Sequence, residues 1–129
     1  MNQGKKHSML IVDDEKSYIM ELTQVFARDY VLSAVKNGRD ALSSAEKSLP
    51  DIILLDIIMP DIDGFEVIKE LKSNEKTKNI PVIFLSGLDD PATEARGLAA
   101  GAADFISKPF SHEVIKLRIA NVIKLHYKD

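Results

Sequence analysis

Five polar residues attract attention because each follows closely on an apolar run. Asp13 and Asp14 come after Met9-Leu10-Ile11-Val12, and Asp56 after Ile52-Ile53-Leu54-Leu55. Ser86 follows Val82-Ile83-Phe84-Leu85, and Lys108 stands just beyond the short run Asp104-Phe105-Ile106. Three carboxylates brought to one place repel one another, and they stay ionised together only around a cation. With oxygen donors and no His or Cys among them, the expected cation is hard: Mg2+, or Mn2+. Such an ion keeps positions open for water and phosphate oxygens. A Lys opposite the acids supplies charge for a phosphoryl oxygen, and a Ser hydroxyl supplies a hydrogen bond. The set suits stabilisation of an incoming phosphoryl group by charge and position. A carboxylate can be the nucleophile, carrying the group as an acyl phosphate.

Chemistry of this kind needs the five residues in one pocket, and the pattern of the chain explains how they would meet. The first, third and fourth apolar runs lack alternation, as strands buried on both faces of a parallel sheet do. Val31-Leu32-Ser33-Ala34-Val35 is weaker and suits an edge. Helical patterns lie between the runs. Residues 15–28 carry Ile19, Leu22, Val25 and Phe26 at helical spacing. Asn37 can cap a helix from about Gly38 to Ser48, and Asp63 one with Phe65, Ile68 and Leu71 on one face. Asp90-Pro91 starts a fourth that should end near Gly101, and Ser111 caps a fifth running towards His126. Five strands alternating with five helices imply an α/β fold, a doubly wound parallel sheet with right-handed crossovers. Its ligand site lies at the carboxyl ends of the strands, at the topological switch point. All five polar residues belong there.

Length and composition agree with one ordinary globular domain. The chain has 129 residues, 45% apolar and 29% charged. It has no Cys, which excludes disulfides and thiolate metal sites. No apolar run approaches a membrane span, and the polar start has no signal-peptide core. Residues 1–7 are therefore expected to be a loose tail, and the protein cytoplasmic, with no membrane partner. The net charge of −3 is spread among interspersed acids and bases. Without a basic face, direct nucleic-acid binding by this domain is not expected.

The motifs Leu10-Ile11-Val12-Asp13-Asp14-Glu15, Leu55-Asp56-Ile57-Ile58-Met59-Pro60-Asp61-Ile62-Asp63-Gly64, Ser86-Gly87 and Lys108-Pro109-Phe110, in this order, resemble response-regulator receiver domains. Each motif alone is weak; the set at these spacings is specific. The resemblance covers residues 8–126 and implies a flavodoxin-like (βα)5 sheet of order 2-1-3-4-5. It leaves residues 127–129 as an end that would precede an output domain. Asp56 would be the phosphoacceptor. Asp14 would ligate Mg2+ directly, Asp13 mainly through water, and the backbone carbonyl of Ile58 would add a further ligand. Ser86 would move to bond the phosphoryl group, Lys108 would pair with it, and Phe105 matches the aromatic that turns inward as the hydroxyl moves. A Tyr is frequent at that place in the family; Phe leaves the switch to packing alone. Lys108-Pro109 would be cis.

The function implied is that of a two-component signalling switch. A histidine kinase or phosphotransfer protein would donate to Asp56, and the face of the fourth helix, fifth strand and fifth helix would change to control an output domain or effector protein. No outside substrate is expected, so the chain is not read as an enzyme beyond assisting its own phosphorylation and dephosphorylation. A phosphatase with an Asp nucleophile would need a second acid two residues later, where Ile58 stands. A flavodoxin would have a Ser/Thr/Gly-rich phosphate loop after the first strand, where Asp13-Asp14 stands. Residues 80–110 resemble receivers that precede cyclic-di-GMP-handling or hybrid-kinase modules. In the last helix, apolar residues from Val114 to Leu125 spread around nearly the whole circumference, which suggests a second contact with a dimer partner or an appended domain. Asp104 and Arg118 match positions that form intermolecular ion pairs in one receiver subfamily, although Val114 stands where that subfamily has an acid. Ile58 and Leu88 occupy positions expected to gate attacking water, and Asp61 and Asp63 to shape the loop and cap the third helix.

Overall fold

The computed structural model describes residues 5–128. Residues 1–4 of the expected tail, and residue 129, lie outside the described residues. The elements run β1 (His7–Val12), α1 (Lys16–Phe26), β2 (Tyr30–Val35), α2 (Gly38–Ser48), β3 (Ile52–Leu55), α3 (Gly64–Ser73), β4 (Val82–Ser86), α4 (Pro91–Ala99), β5 (Asp104–Ser107) and α5 (His112–His126). The strands form a single parallel sheet in the order β2-β1-β3-β4-β5. The pattern predicts the doubly wound parallel sheet, and the resemblance to receiver domains implies this flavodoxin-like order.

Alternation along each strand divides the core. Leu10, Val12, Ile53, Leu55, Val82 and Phe84 point to the face covered by α2 and α3. Met9, Ile11, Ile52, Leu54, Ile83 and Leu85 point to the face covered by α1 and α5. Each fully buried Leu or Ile contributes roughly 1.5–3 kcal/mol relative to exposure, so the three central strands anchor the fold. On β2, Val31 remains 59% exposed, as an edge position would be.

Four expected helix starts are capped by the residues named for them. Asn37, Asp63, Asp90 and Ser111 accept hydrogen bonds from the N–H groups of Asp40, Glu66, Thr93 and Val114. Gly101, with φ at +107°, lies just past the end of α4. The first helix is shorter than residues 15–28, running from Lys16 to Phe26.

Both ends of the domain are more ordered than the sequence suggests. His7, assigned to the tail, opens β1 and pairs with Tyr30. Tyr127 lies beyond the expected boundary at residue 126, yet it stacks on His7 at 5.4 Å and donates its hydroxyl to the Asp51 carbonyl at 2.6 Å. The physical reason is that a polar His can still occupy a ladder position, and its ring gives the end of α5 a surface to pack on. Among the described residues no helix is long and apolar enough to cross a membrane.

Candidate functional site

The strand register places the site. Val12 of β1 lies opposite Leu55 of β3, so the residues that follow them, Asp13 and Asp56, emerge side by side. The ladder bonds continue past the strands. The Asp56 N–H donates to the Val12 carbonyl at 2.9 Å, and the Asp13 N–H to the Val35 carbonyl at 3.1 Å. On the other side, the Lys108 N–H donates to the Ser86 carbonyl at 2.9 Å. Backbone hydrogen bonds thus hold four of the predicted residues, Asp13, Asp56, Ser86 and Lys108, at one rim of the sheet. The crossovers after β1 and β3 depart to opposite faces, which opens the crevice between them.

All of the predicted polar residues meet there. Asp13, Asp14 and Asp56 each offer a carboxylate oxygen, and these oxygens lie within 4.8 Å of one another. Asp14, Asp56, Ile58, Ser86 and Lys108 line a cavity of about 390 Å3, together with Glu15, Tyr18, Gly87 and Leu88. The Lys108 Nζ donates to Asp13 Oδ2 at 2.6 Å and lies 3.7 Å from Asp56 Oδ2. Its side chain is 7% exposed. Asp13 and Asp56 are buried, whereas Asp14 faces solvent. Asp13 Oδ1 also accepts from the Glu15 N–H at 3.0 Å, so this acid orients the start of α1 besides lining up with its partners. The buried Ser86 hydroxyl accepts from the Leu88 N–H at 3.1 Å. Lys108-Pro109 is cis.

Crowding of acids under partial burial has an electrostatic consequence. Burial pushes the Asp56 carboxyl upward; Lys108 pulls it down, Asp13 and Asp14 raise it, and the Ile57 N–H lowers it. The balance stands at about 6, against an ordinary 3.8. A carboxylate held this high is a stronger base and a better electron donor than a solvated one, while still ionised at neutral pH. The donor set fits a hard divalent cation: three carboxylate oxygens at close quarters, no sulfur, no imidazole, and an open side towards solvent.

Phe105 is 6% exposed and packs on Phe84 with ring centroids 6.1 Å apart. Gly97, the only buried residue of α4, lies against both rings: a Cβ there would come within 2.9 Å of Phe84 and 3.1 Å of Phe105. Gly97→Ala should therefore displace one of the two rings and lower the melting temperature, a loss of about 1–3 kcal/mol for overpacking.

Two features escape the sequence reading. Asp61 shapes the loop as expected, but through partners the sequence does not name: its carboxylate accepts from the N–H groups of Gly38 and Arg39, both at 2.9 Å, and so ties the β3–α3 loop to the start of α2. Tyr18 enters the cavity from the first turn of α1, with the Lys108 ammonium 4.0 Å from its ring centroid. Tyr18 stands four residues before Leu22 and seven before Val25, on the same face as the buried stripe of α1, so helical spacing reads it as a packing residue and gives no sign of the cavity it enters. Asp104 and Arg118 pair within the chain, at 3.1 Å.

Comparison with known proteins places this geometry. The family model for the response regulator receiver domain matches residues 9–120. A probable cyclic di-GMP phosphodiesterase of Vibrio cholerae is 40% identical over 112 residues, 87% of this chain and 25% of that protein. Histidine kinase P4 of Formosa agariphila is 34% identical over 124 residues, 96% of this chain and 9% of that protein. The chain thus spans a quarter or less of these two relatives. Among solved structures, the receiver domain of Francisella response regulator 1452 superposes with a TM-score of 0.87 at 28% identity, covering 95% of this chain and all of that one.

Proposed function

Because the chain belongs to the response-regulator receiver domain family, whose members are phosphorylation-dependent switches, we propose that Asp56 is its phosphoacceptor. The observation that carries this reading is the convergence of Asp13, Asp14 and Asp56 within 4.8 Å, with Lys108 reaching into the same cavity. The donor is a phosphohistidine of a histidine kinase or phosphotransfer protein. An Asp56 carboxylate oxygen bonds to phosphorus while the P–N bond breaks, and its electron pair leaves with the imidazole. Lys108 lies where it can meet a phosphoryl oxygen, and the Ser86 hydroxyl can exchange its bond to the Leu88 N–H for one to the phosphoryl group. Ile58 and Leu88, both exposed at the rim, limit access of the water that would hydrolyse the acyl phosphate.

Asp13, Asp14 and Asp56, with the Ile58 backbone carbonyl, would hold Mg2+ or Mn2+. When bound, that ion supplies positive charge to the phosphoryl oxygens and offsets the repulsion of the acids. Saturating Mg2+ should therefore stabilise the fold, by about 2.7 kcal/mol at a hundredfold excess over Kd. Asp14→Ala should diminish that gain, as read by the melting temperature with Mg2+ and with EDTA.

The decisive experiment is incubation with Mg2+ and acetyl phosphate. Intact mass should rise by one phosphoryl group, peptide mapping should find it on Asp56, and EDTA should prevent it. A label on another residue refutes the assignment. Downstream, the reading continues through Ser86 and Phe105 to the face of α4, β5 and α5. Its support is the sparse burial of α4, with Gly97 alone buried, and the exposed apolar residues Leu98, Val114, Leu117 and Leu125. That face is the candidate contact for an output domain, an effector or a second copy. The two relatives favour an output of cyclic-di-GMP or kinase type.

A further inference from the structure

We propose that Tyr18 is a positioning residue for Lys108, a role that rests on the phosphoacceptor reading above. The ammonium of Lys108 has three donors and a flexible four-carbon stem. Asp13 takes one donor at 2.6 Å, and Asp56 lies at 3.7 Å, beyond a good hydrogen bond. A third side of the ammonium is covered by the Tyr18 ring, 4.0 Å away at its centroid. The ring is half-buried, and Phe110 packs behind it with centroids 6.2 Å apart. Phe110 follows Lys108 by two residues, so the segment that carries the lysine also packs against the ring that meets its head.

This arrangement answers a problem posed by the reaction. Both carboxylates that restrain Lys108 have other duties during phosphoryl transfer: Asp56 becomes an acyl phosphate and Asp13 belongs to the cation-binding set. An ammonium released by them would swing towards solvent, since the cavity opens that way. An aromatic face attracts the cation without accepting a hydrogen bond. It can therefore hold Lys108 in place while leaving its N–H donors free to transfer from carboxylate to phosphoryl oxygen. No other aromatic ring lines the cavity among the described residues.

The test compares Tyr18→Phe, which keeps the ring, with Tyr18→Leu and Tyr18→Met, which keep apolar bulk without it. With acetyl phosphate and Mg2+, the Phe variant should be labelled at the wild-type rate and the Leu and Met variants about 3- to 30-fold more slowly. In a Lys108→Ala background, Tyr18→Leu should cause no further loss, because the lysine it positions is gone. A readout independent of turnover is the ring-current shift of the Lys108 ε-methylene protons in NMR spectra. It should appear in the metal-free protein, persist with Mg2+ and trifluoroberyllate as an unreactive phosphoryl stand-in, and vanish in the Leu variant. The inference is overturned by a rate ratio below threefold, by a Phe variant as slow as Leu, by an equal loss in the Lys108→Ala background, or by absence of the upfield shift. Each of these can occur with Asp56 still labelled. Loss of labelling at Asp56 in the wild-type protein would instead refute the phosphoacceptor reading itself.

Discussion

Asp56→Asn is expected to abolish acetyl-phosphate labelling and, in the same protein, to raise the melting temperature. The first effect follows from the nucleophile. An amide oxygen is a far weaker electron donor than a carboxylate, and rates of labelling should fall at least about a hundredfold; labelling at the wild-type rate would remove Asp56 from its role. The second effect follows from burial. Held at about 6 against an ordinary 3.8, the ionised carboxyl disfavours folding by about 3 kcal/mol in the metal-free protein. Asn must itself be desolvated, so the net gain should be about 1–3 kcal/mol, or roughly 4–12 °C in melting temperature. Because the folded-state value is raised, wild-type protein binds a proton more readily folded than unfolded. Its stability relative to the Asn variant should thus be lowest above pH 6, recover as the pH falls from about 6 to 4, and match or exceed the variant's below that. Thermal melts in EDTA across pH 4–8 measure the difference; a constant offset would show that repulsion at Asp56 is not its source.

Gly64→Ala is expected to damage both stability and labelling. A Cβ at this position would lie 2.5 Å from the Asp56 carbonyl oxygen, 2.9 Å from the Ile57 Cα and 3.0 Å from a Phe84 ring carbon. Two of these neighbours are backbone, and the Gly64 N–H already donates to the Ile57 carbonyl at 2.7 Å. Neither side can yield without moving the segment that carries the acceptor. Overpacking of this kind costs about 1–3 kcal/mol, and a displacement near 1 Å at a reacting group can slow it about a hundredfold. Gly87→Ala is the matched control, since a Cβ there meets nothing within 4 Å; its melting temperature should stay at the wild-type value. If Gly64→Ala melts and labels like wild type, the close approach does not position Asp56.

Much of this molecule can be read from one dimension because strands carry their positions with them. Apolar runs without alternation identify β1, β3 and β4, and a polar residue placed after each run must emerge at the same rim once neighbouring strands pair in register. Asp13, Asp56 and Ser86 come together for that reason, and the caps at Asn37, Asp63, Asp90 and Ser111 are local by nature. Contacts between distant elements follow from where the crossover helices settle, which no periodicity encodes. Only the folded chain shows Lys108 donating to Asp13 rather than Asp56, Tyr18 beneath that ammonium, Asp61 bridging to α2, and His7 receiving Tyr127. Gly64 belongs with these: its residue type suggests a turn, whereas its need is for space against the backbone of Asp56. Hydrogen-bonded register is a property of the strand and its neighbour. Side-chain packing depends on the relative placement of whole elements, and that is settled only when the core closes.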